Sequence, residues 1–214
     1  ASMRADGSSK FGANNKWGYF PAVSAAWRVG EEAFVKNLNV FSDLKLRIGY
    51  GLAGNNRIGS YASLPIMGSN NNFYPNGEGI TNGFASTQIP NKDLKWEANK
   101  TLNIGLDFGF FNQRLTISPE FYINRSSNLL LNTKIPTSSG FNTMLQNIGE
   151  TENKGIDISI TSVNIQTKDF QWITNLNLSH NVNKVIALND QDSFLEEAKF
   201  GWNQNNYIVE VGKS

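Results

Sequence analysis

The most regular stretch of the chain alternates apolar and polar side chains with a period of two. Across residues 94–110 the even positions hold Leu94, Trp96, Ala98, Leu102, Ile104, Leu106, Phe108 and Phe110, and only Lys100 breaks that face. The odd positions hold Lys95, Glu97, Asn99, Thr101, Asn103, Gly105, Asp107 and Gly109. Successive side chains of a strand point to opposite faces, whereas a helix would scatter these residues around its axis, so the segment predicts a strand with one apolar face. After Asn112-Gln113 the pattern restarts: Leu115, Ile117, Pro119, Phe121 and Ile123 oppose Thr116, Ser118, Glu120, Tyr122 and Asn124. Two such runs joined by a tight polar turn predict a hairpin. Pro119 cannot donate to a ladder, which predicts a bulge or an irregular position there.

Further runs share this grammar. Trp17, Tyr19, Pro21, Val23, Ala25, Trp27 and Val29 form one face of residues 17–29, and Leu44, Leu46, Ile48, Tyr50 and Leu52 one face of 44–52. Ile156, Ile158 and Ile160 oppose Asp157, Ser159 and Thr161, and Phe170, Trp172, Leu176, Leu178 and Val182 oppose Gln171, Asn175, Asn177, Ser179 and Asn181. A last strand is expected to begin near Tyr207. Connections alternate in length: 30–43, 112–113 and 164–168 are short, while 55–93, 132–147 and 184–206 are long. Outer-membrane barrels keep short turns inside and long loops outside, so residues 17–29 run inward and the strands alternate from there. Glu31-Glu32-Ala33-Phe34-Val35-Lys36 predicts a short helical turn in the first inner link. Trp17, Tyr19 and Trp96 then fall near the outer interface, with Trp27, Phe108, Phe110, Phe111 and Trp172 near the inner one, where amphipathic rings settle in a bilayer. A soluble β-sandwich also alternates, but its apolar face must be covered by a second sheet. Loop asymmetry and end-placed aromatics favour the all-β, antiparallel, up-and-down transmembrane barrel.

Composition narrows the function classes. Of 214 residues only 39% are hydrophobic and 17% charged, and Gly, Ser, Thr and Asn fill the gap, as suits turns and strands. A formal charge of +1 without a basic run gives no footprint for nucleic acid. Cysteine is absent, so neither a disulfide scaffold nor a thiolate metal site is available. No apolar run reaches the roughly 18 residues of a membrane helix, which says nothing against alternating spanning strands. Ala1-Ser2-Met3-Arg4-Ala5-Asp6 is polar and is not a signal peptide.

Candidate chemistry is sparse. Gly49-x-Gly51-x-x-Gly54 matches a dinucleotide fingerprint, but Asn55-Asn56-Arg57-Ile58-Gly59-Ser60 opens a loop rather than a helix, so the glycines are expected to thin a lumen face or permit a bend. His180 is the only histidine and sits on the apolar register, as an interfacial ring rather than a catalyst. Asp190, Asp192, Glu196 and Glu197 lack the spacing of a calcium loop and read as a solvated acidic loop. Lys45, Arg47, Lys95, Glu97, Asn99, Asp107 and Glu120 are predicted to line the lumen, where plug and one another are their partners. The long outer loops carry Tyr61, Phe73, Tyr74 and Phe84, then Phe200, Trp202 and Tyr207, among amide and hydroxyl neighbours. Of these, Tyr61, Phe73, Tyr74, Phe84, Trp202 and Tyr207 are the candidate ligand-binding residues, because aromatic faces stack on sugar rings; the alternative is that they pack their own loops. No metal site or cofactor is expected.

Four blocks resemble one family. Asp6-Gly7-Ser8-Ser9-Lys10-Phe11-Gly12 followed by Trp17-Gly18-Tyr19-Phe20-Pro21-Ala22-Val23-Ser24-Ala25-Ala26-Trp27-Arg28 is similar to the barrel of SusC/RagA-type TonB-linked outer-membrane transporters of Bacteroidetes. So are Asp43-Leu44-Lys45-Leu46-Arg47 with Tyr50-Gly51 and Gly54-Asn55-Asn56; Leu94-Lys95-Trp96-Glu97; and Gly140-Phe141 with Asn147-Ile148-Gly149-Glu150 and Asn153-Lys154-Gly155-Ile156. The resemblance implies a barrel of roughly 22 strands around a plug, of which about seven are expected here. Residues 1–214 would then be part of the barrel domain, with plug, TonB box and C-terminal strands lying elsewhere. It further implies nutrient uptake across the bacterial outer membrane, with oligosaccharide or peptide as cargo, a SusD-like surface lipoprotein as lid, TonB-ExbB-ExbD as inner partners and outer-membrane lipid around the wall. The alternatives are a soluble or surface β-sheet carbohydrate-binding module, and an outer-membrane hydrolase, for which no nucleophile and base stand at a recognisable spacing.

Overall fold

The computed structural model describes residues 1–69, 73–77, 79–188, 193–200 and 203–214, with backbone alone at 74, 76, 194–200 and 203–207. Strands β1 (Ser2–Gly7), β2 (Trp17–Trp27) and β3 (Asp43–Asn55) come first. An excursion of four short strands follows, β4 (Ile66–Gly68), β5 (Phe73–Asn76), β6 (Gly79–Asn82) and β7 (Ala85–Gln88), before β8 (Glu97–Phe110) and β9 (Leu115–Ser127). A second excursion holds β10 (Leu130–Lys134) and β11 (Thr143–Asn147). Then come β12 (Glu150–Gln166), β13 (Gln171–Ala187) and a hairpin of β14 (Ser193–Phe200) with β15 (Asn203–Glu210). The seven long strands make one antiparallel sheet in the order β1-β2-β3-β8-β9-β12-β13, and the rest pair among themselves above its outer end.

Register makes the two faces continuous from strand to strand. Ala25, Ile48, Ile104, Phe121, Ile156 and His180 are partners across six strands, and one residue along lie Ala26, Arg47, Gly105, Glu120, Asp157 and Ser179. One face is therefore an apolar belt and the other is polar. No second sheet covers the belt: Val23, Ile48, Phe121, Ile156 and Leu178 all stay exposed, and only five hydrophobic residues are buried among those described. The accessible surface of 15134 Å² compares with about 10,000 Å² for a compact chain of this length. Among the described residues the arc is open and its apolar face is uncovered.

Several expectations are corrected. The sheet has seven strands, but β1, too short and polar to be recognised by alternation, is one of them. The segment around Tyr207 belongs to the β14–β15 hairpin rather than to the wall, and the chain rejoins β13 only where Gly212 and Lys213 bond to Val185. The strand expected from residue 94 starts at Glu97, because Leu94 and Trp96 are drawn into contacts between loops. Pro119 is an irregular position, as expected, rather than a bulge: the β8–β9 register is the same on either side, and only the pairs at Leu106 and Asp107 drop out. The first inner link does contain a helical turn at Ala33–Lys36, after a 3-10 turn at Val29–Glu31, with Lys36 bound to Glu31 at 2.7 Å. The β12 and β13 strands run 17 residues each, more than the about 10 that a bilayer crossing needs.

Glycines leave space that long side chains of neighbouring positions fill, Gly105 and Gly155 on the polar face and Gly54 in the register of the apolar face near the end of β3. A Cβ on Gly54 would lie 2.0 Å from the Phe20 ring, one on Gly155 would lie 2.7 Å from the Tyr122 hydroxyl, and one on Gly105 would lie 2.8 Å from the Arg47 guanidinium. Gly49 and Gly51, by contrast, meet only Cβ or Cα atoms of Ser24 and Ala22, and thin the polar face as expected. The fingerprint-like glycines are thus packing devices. Gly54→Val should destabilise the intact protein by about 1–3 kcal/mol, as overpacking does. Because the Phe20 ring is what collides, the loss should shrink in a Phe20→Ala background; urea unfolding of the four variants of this cycle would show it, and strict additivity would refute the interlock.

Candidate functional site

Two regions carry polar chemistry, a charged cluster on the polar face and the outer loops. In the cluster Arg47 of β3 grips Asp107 of β8 with two parallel bonds, Nε to Oδ2 at 2.9 Å and Nη2 to Oδ1 at 3.1 Å. Its remaining nitrogen donates to Glu120 of β9 at 3.3 Å. The guanidinium reaches both because it lies over Gly105, which offers no side chain in between. Three strands are tied by one planar, always charged group whose fork matches the carboxylate. Lys45 sits directly opposite Asp107 in the ladder, and Asp157 continues the row beyond Glu120. Of the residues expected to line the lumen, Lys45, Arg47, Asp107 and Glu120 form this cluster. Asn99 lies farther out, where its Oδ1 accepts from the Ser126 hydroxyl at 3.5 Å, and Glu97 stands opposite Asn55 at the strand end. Lys95 is not in the wall, since it precedes β8 and its backbone is held by a loop.

The loops are held by a small core and by side-chain amides. Phe11 and Leu94 are completely buried with Ala62, and Ile58, Trp96, Leu130 and Leu145 pack around them. These residues come from three separate excursions, so the core fastens the loops to one another. Trp96, expected in the lipid girdle, instead packs Phe11 at 4.9 Å and Phe20 at 5.4 Å, and its indole donates to the Lys16 carbonyl. Asn147 mimics a strand partner for Lys95, with Oδ1 accepting the Lys95 N–H at 2.9 Å and Nδ2 donating to its carbonyl at 2.7 Å. Asn91 donates to the Leu145 carbonyl, and the Gln88 amide reaches the carbonyls of Ala62 and Leu64. Gly12 must be glycine, because a Cβ there would lie 1.8 Å from the Lys92 carbonyl. Periodicity could not reveal Phe11, Leu94 or Asn147 in these roles; their presence in the resemblance blocks was the available signal.

Of the candidate ligand-binding residues, Tyr61, Phe73 and Phe84 are absent from this core and stand 67%, 60% and 70% exposed. Tyr61 adopts a left-handed backbone (φ 61°) at a turn whose carbonyl accepts the Gln88 amide. Trp202 lies outside the described residues, as do the side chains of Tyr74 and Tyr207. So do Asp190 and Asp192 and the side chains of Glu196, Glu197 and Phe200. Among the described residues no group of three His, Cys, Asp or Glu side chains could hold a metal ion.

With this geometry in view, comparison with known proteins is informative. Residues 1–210 match the family model described as TonB dependent receptor-like, beta-barrel. The chain is 42% identical over 221 aligned residues to the TonB-dependent receptor SusC of Bacteroides thetaiotaomicron, covering 99% of this chain and 22% of SusC. It is 40% identical over 214 residues to the TonB-dependent receptor P39 of Formosa agariphila, covering all of this chain and 19% of that receptor. Among solved structures, the RagAB peptide importer in its open-open state superposes with a TM-score of 0.84 at 29% identity, covering 99% of this chain and 22% of that one. In the closed-closed state the TM-score is 0.81. The chain thus spans about a fifth of the length of these relatives.

Two outcomes follow from the geometry. A double-mutant cycle of Arg47→Ala and Asp107→Ala in the intact protein should give a coupling of about 1 kcal/mol, modest because both side chains are about a third exposed. Asn147→Ala should speed proteolytic cleavage within residues 56–93 while leaving the heat-dependent gel migration of the folded barrel unchanged; equal cleavage rates would remove Asn147 as the fastener.

Proposed function

This chain belongs to the TonB dependent receptor-like β-barrel family, and from that premise we propose that it is part of the wall and outer loops of an outer-membrane transporter for oligosaccharides or peptides. One observation carries the reading furthest. A single sheet exposes a continuous apolar face and backs it with a continuous polar one. In water an uncovered belt of this size is unfavourable, whereas lipid is its natural solvent. In lipid every strand N–H and C=O must be paired, which closure into a barrel with further strands accomplishes. The alternative of a soluble carbohydrate-binding module needs a protein cover that the apolar face lacks here.

Transport in such a protein calls on these residues for binding and shape rather than for bond chemistry, so no catalytic role is assigned. The polar face, with the Arg47–Asp107–Glu120 cluster, would face a plug domain supplied elsewhere in the whole protein. The loops would present Tyr61, Phe73 and Phe84, with Tyr74, Trp202 and Tyr207, to cargo and to a SusD-like lipoprotein lid, while TonB-ExbB-ExbD would supply the energy from the inner side. The peptide named for RagAB and the kinship with SusC support peptide and glycan as the two cargo classes.

The full-length protein should require detergent or lipid to remain monodisperse, and its uptake of labelled oligosaccharide or peptide should vanish without TonB. Monodispersity and a cooperative melt in detergent-free buffer would refute the barrel reading. Replacing Tyr61, Phe73 or Phe84 by Ala should weaken cargo binding about fivefold per ring by calorimetry, the scale of one stacking contact. Unchanged affinity in all three would assign those rings to another partner.

A further inference from the structure

Lys100, the one residue that breaks the apolar alternation of β8, does not stand alone. In register it is opposite Leu52 on one side and Arg125 on the other, and the row continues to Glu152 and Lys184. Lys154, one position inward on the same face, joins them, since it is opposite Ile123 and Val182 of the belt. The outward face therefore carries four cations, Lys100, Arg125, Lys154 and Lys184, against two carboxylates, Glu150 and Glu152. All four are exposed. Arg125 is engaged by Glu150, and Lys154 lies 4.0 Å from Glu152, which leaves Lys100 and Lys184 without an ion-pair partner among the described residues.

The height of this band matters. From residue 101 to the inner end of β8 is about ten residues, the length of one bilayer crossing, with Phe108 and Phe110 at the far end. Lys100 therefore lies at the outer edge of the belt, where headgroups begin. Lys100 stands directly opposite Arg125, whose charge Glu150 balances, so the uncompensated positive charge of the band rests on Lys100 and Lys184. Lys100 and Lys184 are three strand spacings apart, about 14 Å, a span suited to a large headgroup rather than to a single small anion.

We propose that this band is a binding site for the phosphate-bearing headgroup of an outer-leaflet glycolipid, with Lys100 and Lys184 as the primary phosphate ligands and Arg125 and Lys154 held ready beside them by Glu150 and Glu152. The acyl chains of the same lipid lie along Leu102, Ile104, Phe121, Ile123 and Ile156 directly inward. Basic side chains at a membrane surface attract anionic lipids in this manner, and the arrangement here adds a defined pattern of charge. The inference rests on the membrane reading of the apolar face.

The test uses the full-length receptor in phosphatidylcholine nanodiscs doped either with lipid A carrying its phosphates or with the same lipid dephosphorylated, and counts retained lipid by native mass spectrometry. The phosphorylated lipid should be retained about tenfold or more over the dephosphorylated one. Neutralising variants K100Q and K184Q should each reduce that preference about fivefold, and K100R/K184R should preserve it. Equal retention of the two lipids, or an undiminished preference in K100Q/K184Q, overturns the proposal. Heat-dependent gel migration verifies that each variant is folded, and should K100Q not fold, the wild-type comparison of the two lipids decides alone. A receptor that needs detergent yet shows no phosphate preference refutes only this site, whereas one that is monodisperse without detergent refutes the membrane reading beneath it.

Discussion

The structure depends on one constraint, that the backbone N–H and C=O groups of a strand must be paired along its length. Each long strand must find partners along its length, so the ladders of β3 with β8 and β12 with β13 run unbroken or nearly so over 13 and 16 pairs. Once register is fixed, the identity of every neighbour is fixed with it. A one-residue slip would turn the apolar belt toward the polar side, and this penalty enforces the observed pairing. The β8–β9 ladder is interrupted beside Pro119, where the missing N–H faces β8, and the ladder to β12 is left intact, while β12–β13 shifts register at Glu150/Thr151 and Val163/Ile165. The edges of β1 and β13 remain open within this chain, which a complete barrel resolves by closure.

Register also explains how the polar face is packed. A flat sheet with a large side chain at every position would be crowded, and the chain instead sets glycines beside long residues: Gly105 under Arg47, Gly155 under Tyr122. Because Gly105 is bare, one guanidinium spans from β3 to carboxylates on both β8 and β9. Beyond the strand ends the ladder stops, and side-chain amides take over its work. Asn147 satisfies both backbone groups of Lys95 as a neighbouring strand would, which gives the abundance of Asn a structural purpose. The loops are fastened through Phe11, Leu94 and Ala62, and Tyr61, Phe73 and Phe84 stay exposed outside that core.

The opposite face shows the same logic. Aromatic rings lie at both ends of the belt, with Trp17 and Tyr19 at the outer side and Trp27, Phe41, Phe108 and Phe110 at the inner side, where rings of the last three lie 5.3–6.2 Å apart. The charges that interrupt the belt are concentrated at its outer edge, in three adjacent rows. In a membrane with an anionic outer surface such placement is favourable, whereas the same residues at mid-belt would be costly.

The period of two, read from sequence alone, determined that the wall is built of strands, which residues share a face, and that short inner links alternate with long outer loops, because those features are local and set by the backbone itself. It also placed Arg47, Asp107 and Glu120 on one side. Three things were beyond it. The six-residue β1 carries too few alternations to be distinguished from coil, and Leu94 and Trp96 fit the strand pattern so well that their removal into a loop core could not be foreseen. The segment at Tyr207 alternates equally well in a hairpin and in the wall. Above all, alternation assigns a face but not a neighbour. Only the tertiary register puts Arg47 against two carboxylates, and turns Lys100 from a flaw in an apolar run into one member of a cationic row, because cross-strand distances are set by pairing and not by separation along the chain.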